Sequence, residues 1–541
     1  GSCSRSEVVQ NVGHHFMKLS WLMSREAREI DARSIAAFNI EERSFDRPAL
    51  QTHAGISSVR VVVLAAILML ALVGVILLLI QSGTFRLFPQ SETVSNFETK
   101  YVVSLTRHGL KATSVWKFSE ILAKSTDPLS SACSGDHSRC AAHLAADLWG
   151  DATRVDLLGD LLPAGMKAAE NMGAWMKKAY AQHLANSEVL LLSSPVPRVV
   201  NTGRAQSTGY EGHEGIMQIT RWLEEHNYQL DASSYKFNIE ALTSDGSFKN
   251  LPGGVHFQRV IDEVSTQHLE GIVKPRSSTD TDLSYARSIC KIAEHMFNER
   301  LASTVPTQGR NLDFLRLLGP VTADKRLDAV RMSYSVCHRI WALYANEDNL
   351  AQSALPMLSM ILALLAYRTG EIQQPPGFFE NSPDAEGVSK IVDNGGAMVF
   401  LMSHDIMVNF LRMALGLELT QFQDGTPMVF ANSSSYNMQI TLELGVSPSC
   451  TKRWRGTVHE NSCFMVRAWT YLPSAKQYPQ LELGSNDLKR RYLPMFGSKD
   501  ITMPWKSFKT RLAAYILQGA SRPGGYLPDE FKDFLWAQSE K

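Results

Sequence analysis

Apolar residues gather along this chain in runs of different length and period, and each kind of run predicts a different element. The longest is Val61 to Ile80, "VVVLAAILMLALVGVILLLI", which holds no charge, no proline and one glycine. Roughly 20 consecutive apolar residues match a hydrocarbon core of about 30 Å. A core helix is seldom apolar on every face over that length. The run therefore predicts a membrane-spanning helix at 61–80. Its distance from the start of the chain suits an uncleaved signal anchor better than a cleaved signal peptide. Before it, residues 1–60 are polar with charges of both signs and a helical pattern around 18–37. After it, 81–98, "QSGTFRLFPQSETVSNFE", has the composition of a stem. Arg43, Arg47 and Arg60 lie within twenty residues before the span, against Arg86 and Lys100 after it. That small excess favours a cytoplasmic tail and a single-pass type II protein, with the larger part lumenal or extracellular.

From about residue 99 the pattern becomes that of a packed domain. Tyr101–Leu105 and "EVLLLSS", 188–194, are short apolar runs of the kind used by buried strands. Between them, 159–184 is helical after Pro163, with Met166, Ala169, Met172, Gly173 and Met176 predicted on one face. Helical periodicity marks 283–302 and 325–345, and 353–372 is apolar enough to be a buried helix but too short for a comfortable span. "QQPPGFFENSPDAEG" follows as a surface loop. Ala397–Met402 returns to strand character, and Ile406–Leu417 to helical periodicity. "SYNMQITLEL" and "CFMVRAWTY" alternate as late strands of a hairpin. The order predicts an α/β fold: a mixed central sheet with helices on both faces, in one domain over 99–541, with a helical cap inserted at about 220–390.

Composition narrows the partners. Lys plus Arg number 54 against 54 Asp plus Glu. That balance, with no basic stripe, argues against nucleic acid. One cysteine, Cys3, precedes the apolar run, and six follow it: 133, 140, 290, 337, 450 and 463. An even set beyond a membrane suits an oxidising compartment. Proximity suggests Cys133 with Cys140, Cys450 with Cys463, and Cys290 with Cys337, although six cysteines allow fifteen pairings. His137 lies between Cys133 and Cys140, but no second ligand pair at zinc spacing follows, so no metal is expected. "NSS" at Asn432 is a glycosylation sequon if the domain is lumenal, and otherwise an ordinary loop asparagine.

Three of the predicted strands end in polar residues: Arg107-His108 with Lys111 close behind, Arg198, and His404-Asp405. In open α/β sheets ligands sit beyond the carboxyl ends of the strands, so residues distant in sequence can meet there. Two guanidiniums, two imidazoles, an ammonium and one carboxylate suit a phosphate dianion. The N-terminus of the helix after Asp405 adds partial positive charge. Neighbouring cations keep an imidazole neutral below its usual pKa, which makes His108 a nucleophile. Gly109 is expected to let the backbone approach the phosphate.

On these residues the sequence resembles the histidine acid phosphatases, branch two of the histidine phosphatase superfamily. The family's opening strand and "RHGxRxP" correspond to "LTRHGLKAT", its "G-x-L-T-x-x-G" helix start to "GDLLPAGM", 159–166, its second-strand arginine stretch to "SSPVPRV", 193–199, and its late strand with "HD" to "VFLMSHDIMVNFLRMALGL", 399–417. The resemblance spans 101–470 and implies a phosphoglycerate mutase-like sheet. It implies an acid phosphatase that needs no cofactor or metal: His108 becomes phosphohistidine, Asp405 protonates the leaving alcohol, and Arg107, Lys111, Arg198 and His404 bind the phosphoryl oxygens of a phosphomonoester. Two positions depart from the pattern. Lys111 stands for the family's second arginine and Thr113 for its proline, and the position of a further cation falls on Leu192. Lysine keeps the charge and loses the fork. Two alternatives follow: a weak phosphatase-like membrane protein that binds a phosphorylated ligand or partner, and a phytase-like enzyme acting on inositol polyphosphates. A homodimer is left open.

Overall fold

The computed structural model describes residues 97–112, 137–149, 151–184, 189–194, 196–211, 247–301, 323–372, 397–447, 463–473, 490–527 and 529–539. The chain divides after Glu92, and all described residues belong to the second unit, Thr93–Lys541. The predicted tail, the membrane helix at 61–80 and the stem up to residue 96 lie outside the described residues, as do Cys133, Cys450 and Thr113.

The centre is a seven-stranded mixed sheet. Its first strands are β1 (Glu98–Arg107), β2 (Val189–Ser193) and β3 (Met398–Ser403). The others are β4 (Gln439–Val446), β5 (Phe464–Tyr471), β6 (Arg491–Leu493) and β7 (Thr502–Pro504). The order is β2-β3-β1-β4-β5-β6, with β7 also on β5. β3 runs parallel to both β1 and β2, whereas β4 is antiparallel to β1 and β5 to β4. The late pair is thus antiparallel as expected. β1 outruns its predicted length and ends on Arg107 itself.

The parallel register does the positioning. Arg107 pairs with Ser403, and Ser193 with Met402. Three neighbouring strands therefore end level with one another. Every residue of β2, β3 and β4 is buried, so both faces at the centre are covered. On one face Ser104 accepts from Gln439, whose amide also lies 3.2 Å from the Met176 sulfur of α2 (Pro163–Leu184). Tyr101, three positions from Ser104 and so on the other face, lies under Arg368, whose Cζ is 4.9 Å from its ring centre.

α1 (His137–Trp149) precedes α2, and α3 (Pro197–Glu211) packs against α2 backbone to backbone. A Cβ on Gly173 would stand 1.8 Å from the carbonyl oxygen of Gln206. This contact seats the helix whose first turn carries Arg198. Met166 departs from the predicted stripe: it sits in the first turn of α2, at the edge of the apolar face, and is 46% exposed.

Between α3 and β3 the described chain is helical: α4 (Gly254–Glu263), α5 (Asp282–Leu301), α6 (Ala323–Tyr344), α7 (Glu347–Ser353) and α8 (Leu355–Arg368). Cys290 of α5 is bonded to Cys337 of α6 as expected, with Cα atoms 4.7 Å apart. Cys463 is disulfide-bonded too. The apolar run at 353–372 forms one buried helix as expected, α8, and the chain turns by 69° at Ala354 between α7 and α8, where Pro356 occupies the first turn of α8. Leu355 to Ala366 are all buried against the rest of the domain. Among the described residues no single helix is long and apolar enough to cross a membrane. α9 (Asp405–Ala414) follows β3 directly, and α10 (Trp505–Ala520) and α11 (Asp529–Ser539) complete the chain.

A buried charge network ties the antiparallel half to α2. Glu443 of β4, fully buried, accepts from Arg467 of β5 and from Tyr180 of α2 at 2.5 Å, with Arg490 3.4 Å away. Trp469 donates in turn to the Tyr180 hydroxyl at 2.8 Å. Removing one partner of such a pair leaves an uncompensated buried charge, at a cost of about 3–5 kcal/mol. Glu443→Ala, which strands two arginines, is therefore expected to lower unfolding free energy by about that much in urea titration. Arg490→Ala, at the half-exposed edge of the network, is expected to cost less.

Candidate active site

The level ends of β1, β2 and β3 deliver the predicted site residues to one place. Arg107 is the last residue of β1 and His108 the first beyond it. The His108 N–H donates to the Ser403 carbonyl at 2.9 Å, which carries the β1–β3 ladder one residue past the strand. His404 is the N-cap of α9 and Asp405 its first residue. Because β1 and β3 are neighbours, the two imidazoles come together, ring centres 5.4 Å apart and nearly perpendicular. Arg107 Nη2 lies 3.4 Å from Asp405 Oδ2. Arg198 reaches the same place from the first turn of α3 and Lys111 from the bridge it forms with Leu161, and the charge of each acts on His404. All six predicted residues thus converge.

The cluster is deep. Arg107 is 2% exposed, His108 3%, His404 4% and Lys111 8%, while Arg198 is half-buried. The Asp405 side chain, 13% exposed, marks the more open side. His108 Nδ1 lies 2.8 Å from the carbonyl oxygen of Gly109. A carbonyl only accepts, so Nδ1 carries the proton and Nε2 keeps its lone pair. Burial pushes the His108 imidazole well below its ordinary value, and the charges of Arg198, Arg107 and His404 push the same way. Burial does the same to His404, followed by Arg198, Arg107 and Lys111. For Arg107, burial alone favours loss of the proton, but Asp405, Tyr334, Tyr436 and Glu294 together raise its pKa. Its Nε and Nη1 are buried and have no hydrogen-bond partner among the described residues.

Gly109 has another reason than the one its sequence suggests. A Cβ there would stand 2.8 Å from the carbonyl oxygen of Gly165, at the start of α2. Its N–H is also taken, donating to the Thr202 hydroxyl at 2.9 Å. That hydroxyl donates to the Arg198 carbonyl at 2.7 Å. Gly109 therefore packs against the start of α2 and tethers the chain to Thr202. Thr202 joins the first turn of α3 to the residue after the nucleophile candidate, and its spacing of four from Arg198 was the available signal. Tyr436, whose ring centre is 5.7 Å from His108, had no such signal. Asn432 adopts φ 62° and its Oδ1 accepts from the Leu419 N–H at 3.0 Å, so it shapes a turn. Among the described residues no group of three or more His, Cys, Asp or Glu is arranged to hold a metal ion.

No protein-family model matches the chain, and no curated protein matches it. Solved structures do. The phytase of Klebsiella sp. ASR1 superposes with a TM-score of 0.52 at 13% identity, over 80% of this chain and 98% of that one. Phytase from Hafnia alvei, in complexes with tartrate and with myo-inositol hexakis sulphate, superposes at 0.50 and 14% identity, over 80% of this chain and all of that one. These phytases are histidine acid phosphatases, a family of phosphoric monoester hydrolases, and this chain has their fold.

Three imidazoles held neutral in the fold give a pH signature. His338, buried on α6, is pushed down to about 3 by burial and by the charge of Arg107. Unfolded histidines bind protons below about pH 6.5, so the unfolded state holds more protons and stability falls as pH drops below that value. His338 alone accounts for about 2 kcal/mol lost between pH 7 and pH 5. Urea titration at both pH values is expected to show His338→Gln losing about that much less than the wild type. Parallel losses would contradict the assignment.

Proposed function

We propose that the protein is a metal-independent phosphomonoesterase that works through a phosphohistidine on His108. The observation that carries this reading is the pairing of a neutral imidazole, its Nε2 free, with a buried guanidinium that has two uncommitted N–H donors. His108 Nε2 attacks phosphorus, the ester P–O bond breaks, and the leaving oxygen takes a proton from the Asp405 carboxyl. The Nδ1–H bond to Gly109 steadies the ring as it gains positive charge. Asp405 then takes a proton from water, which attacks the phosphohistidine and frees orthophosphate. Arg107, Arg198, Lys111, His404 and the N-terminus of α9 hold the phosphoryl oxygens through both steps. Burial keeps His108 unprotonated in acid, which supports an acidic optimum.

A second reading, a phytase-like enzyme, is favoured by the likeness to phytases. Relative turnover of inositol hexakisphosphate and a simple aryl phosphate separates the two. We further propose that the domain lies on the lumenal or extracellular side of a membrane, held by the apolar run at 61–80. The Cys290–Cys337 bond supports an oxidising compartment.

The test uses the purified full-length protein at pH 5. His108→Ala is expected to lose at least about a thousandfold in turnover and all trapped phosphate, which in the wild type is acid-labile and maps to His108. Asp405→Asn is expected to slow alkyl phosphates about a hundredfold or more and aryl phosphates much less, because a poor leaving group needs the proton. Turnover that survives His108→Ala would overturn the reading.

A further inference from the structure

Arg107 poses a problem that Asp405 does not solve. Its guanidinium is buried, yet among the described residues only Nη2 meets a carboxylate, and a long side chain with one ion pair keeps rotational freedom. What else constrains it is a ring. Arg107 Cζ stands 4.3 Å from the centre of the Tyr436 ring, which is itself 1% exposed. The same ring lies 5.7 Å from the His108 imidazole, tilted by 48°. A guanidinium lying on an aromatic face has its plane set by that face, and its N–H donors leave at the edges. We propose that Tyr436 is the positioning residue of the phosphate clamp: one ring fixes the plane of the Arg107 fork and its angle to the nucleophile. This rests on the phosphoryl-transfer reading above.

The ring is itself backed. Tyr436 belongs to the "SSSYNM" turn before β4, where Asn437 adopts φ 56° and its N–H donates to the His108 carbonyl at 3.3 Å. Tyr334 of α6 stacks on it at 6.1 Å and 25°. His338, one turn further along α6, meets Tyr334 edge to face at 4.5 Å. α6 is bonded through Cys337 to α5, which carries Glu294, a buried carboxylate whose charge acts on Arg107. The helical pair α5 and α6 thus reaches the Tyr436 ring through Tyr334 and the Arg107 charge through Glu294. Both phenols are held neutral, Tyr436 by burial and then by Tyr334 and Glu294, Tyr334 mainly by burial. They offer Arg107 an aromatic face rather than a second anion.

The experiment measures orthophosphate affinity by calorimetry on the full chain, beside turnover of an aryl phosphate. Tyr436→Phe keeps the face and is expected to stay within about threefold of the wild type. Tyr436→Leu and Tyr436→Met remove the face while filling much of the space, and are expected to weaken orthophosphate about tenfold. A packing role alone lowers the melting temperature of these variants without moving the affinity of those that fold. Wild-type affinity in whichever of the Leu and Met variants folds overturns the proposal, and so does a loss in Tyr436→Phe equal to theirs. Should neither fold, Tyr334→Leu is read in the same way: about threefold weaker orthophosphate is expected, and unchanged affinity overturns the proposal. A wild type that binds orthophosphate without turnover sinks the enzymatic reading and leaves this one to be judged on affinity. One that binds none sinks both.

Discussion

Positive charge buried at the level ends of three parallel strands is the constraint on which the rest depends. Arg107 keeps 2% of its surface and meets one carboxylate. Burying a charge with so few partners is unfavourable, and the group persists only where surrounding structure holds it in place. Here the holding is done by the β1–β3 register, the Asp405 carboxylate and the Tyr436 face. Farther out, the Glu443 network locks β4, β5 and α2 around the same sheet. That network gathers two arginines and two phenols around one carboxylate. In the strand-end cluster Arg107 keeps two buried donors that have no hydrogen-bond partner among the described residues.

The histidines follow from that charge. An imidazole beside Arg107 and Arg198, shielded from water, is more stable neutral. The same surroundings that hold His108 neutral in acid also make the domain lose stability in acid. A bound dianion reverses part of this, because it supplies the negative charge that the pocket lacks, and anything bound only by the folded state stabilises it. A domain built this way is at its least stable when the cluster holds no anion.

The sequence made the clamp legible because its residues sit next to runs that could only be buried strands. Arg107-His108 follows Tyr101–Leu105 and His404-Asp405 follows Ala397–Met402, so the strand-end rule could place them without coordinates. The mixed sheet, the antiparallel late strands and the Cys290–Cys337 bond were legible for similar reasons: period, length and an even cysteine set. What was not legible depends on contacts between distant segments. Tyr436 and Tyr334 carry no local signal, since an aromatic beside a strand or on a helix is usually core. Gly109 also makes room for the start of α2, a contact visible only once the two backbones cross. The short helix α7 and the turn of 69° before α8 were not legible either, because Glu347–Ser353 carries no apolar stripe of its own.

A crystal structure of the full chain with orthovanadate, which adopts the five-coordinate geometry of a phosphoryl group in transfer, tests the central claim most directly. The account predicts vanadium bonded to His108 Nε2, its equatorial oxygens on Arg107, Arg198 and His404, and the apical oxygen facing Asp405. Vanadate bound elsewhere, or ordered in the cluster without a bond to His108, would contradict it.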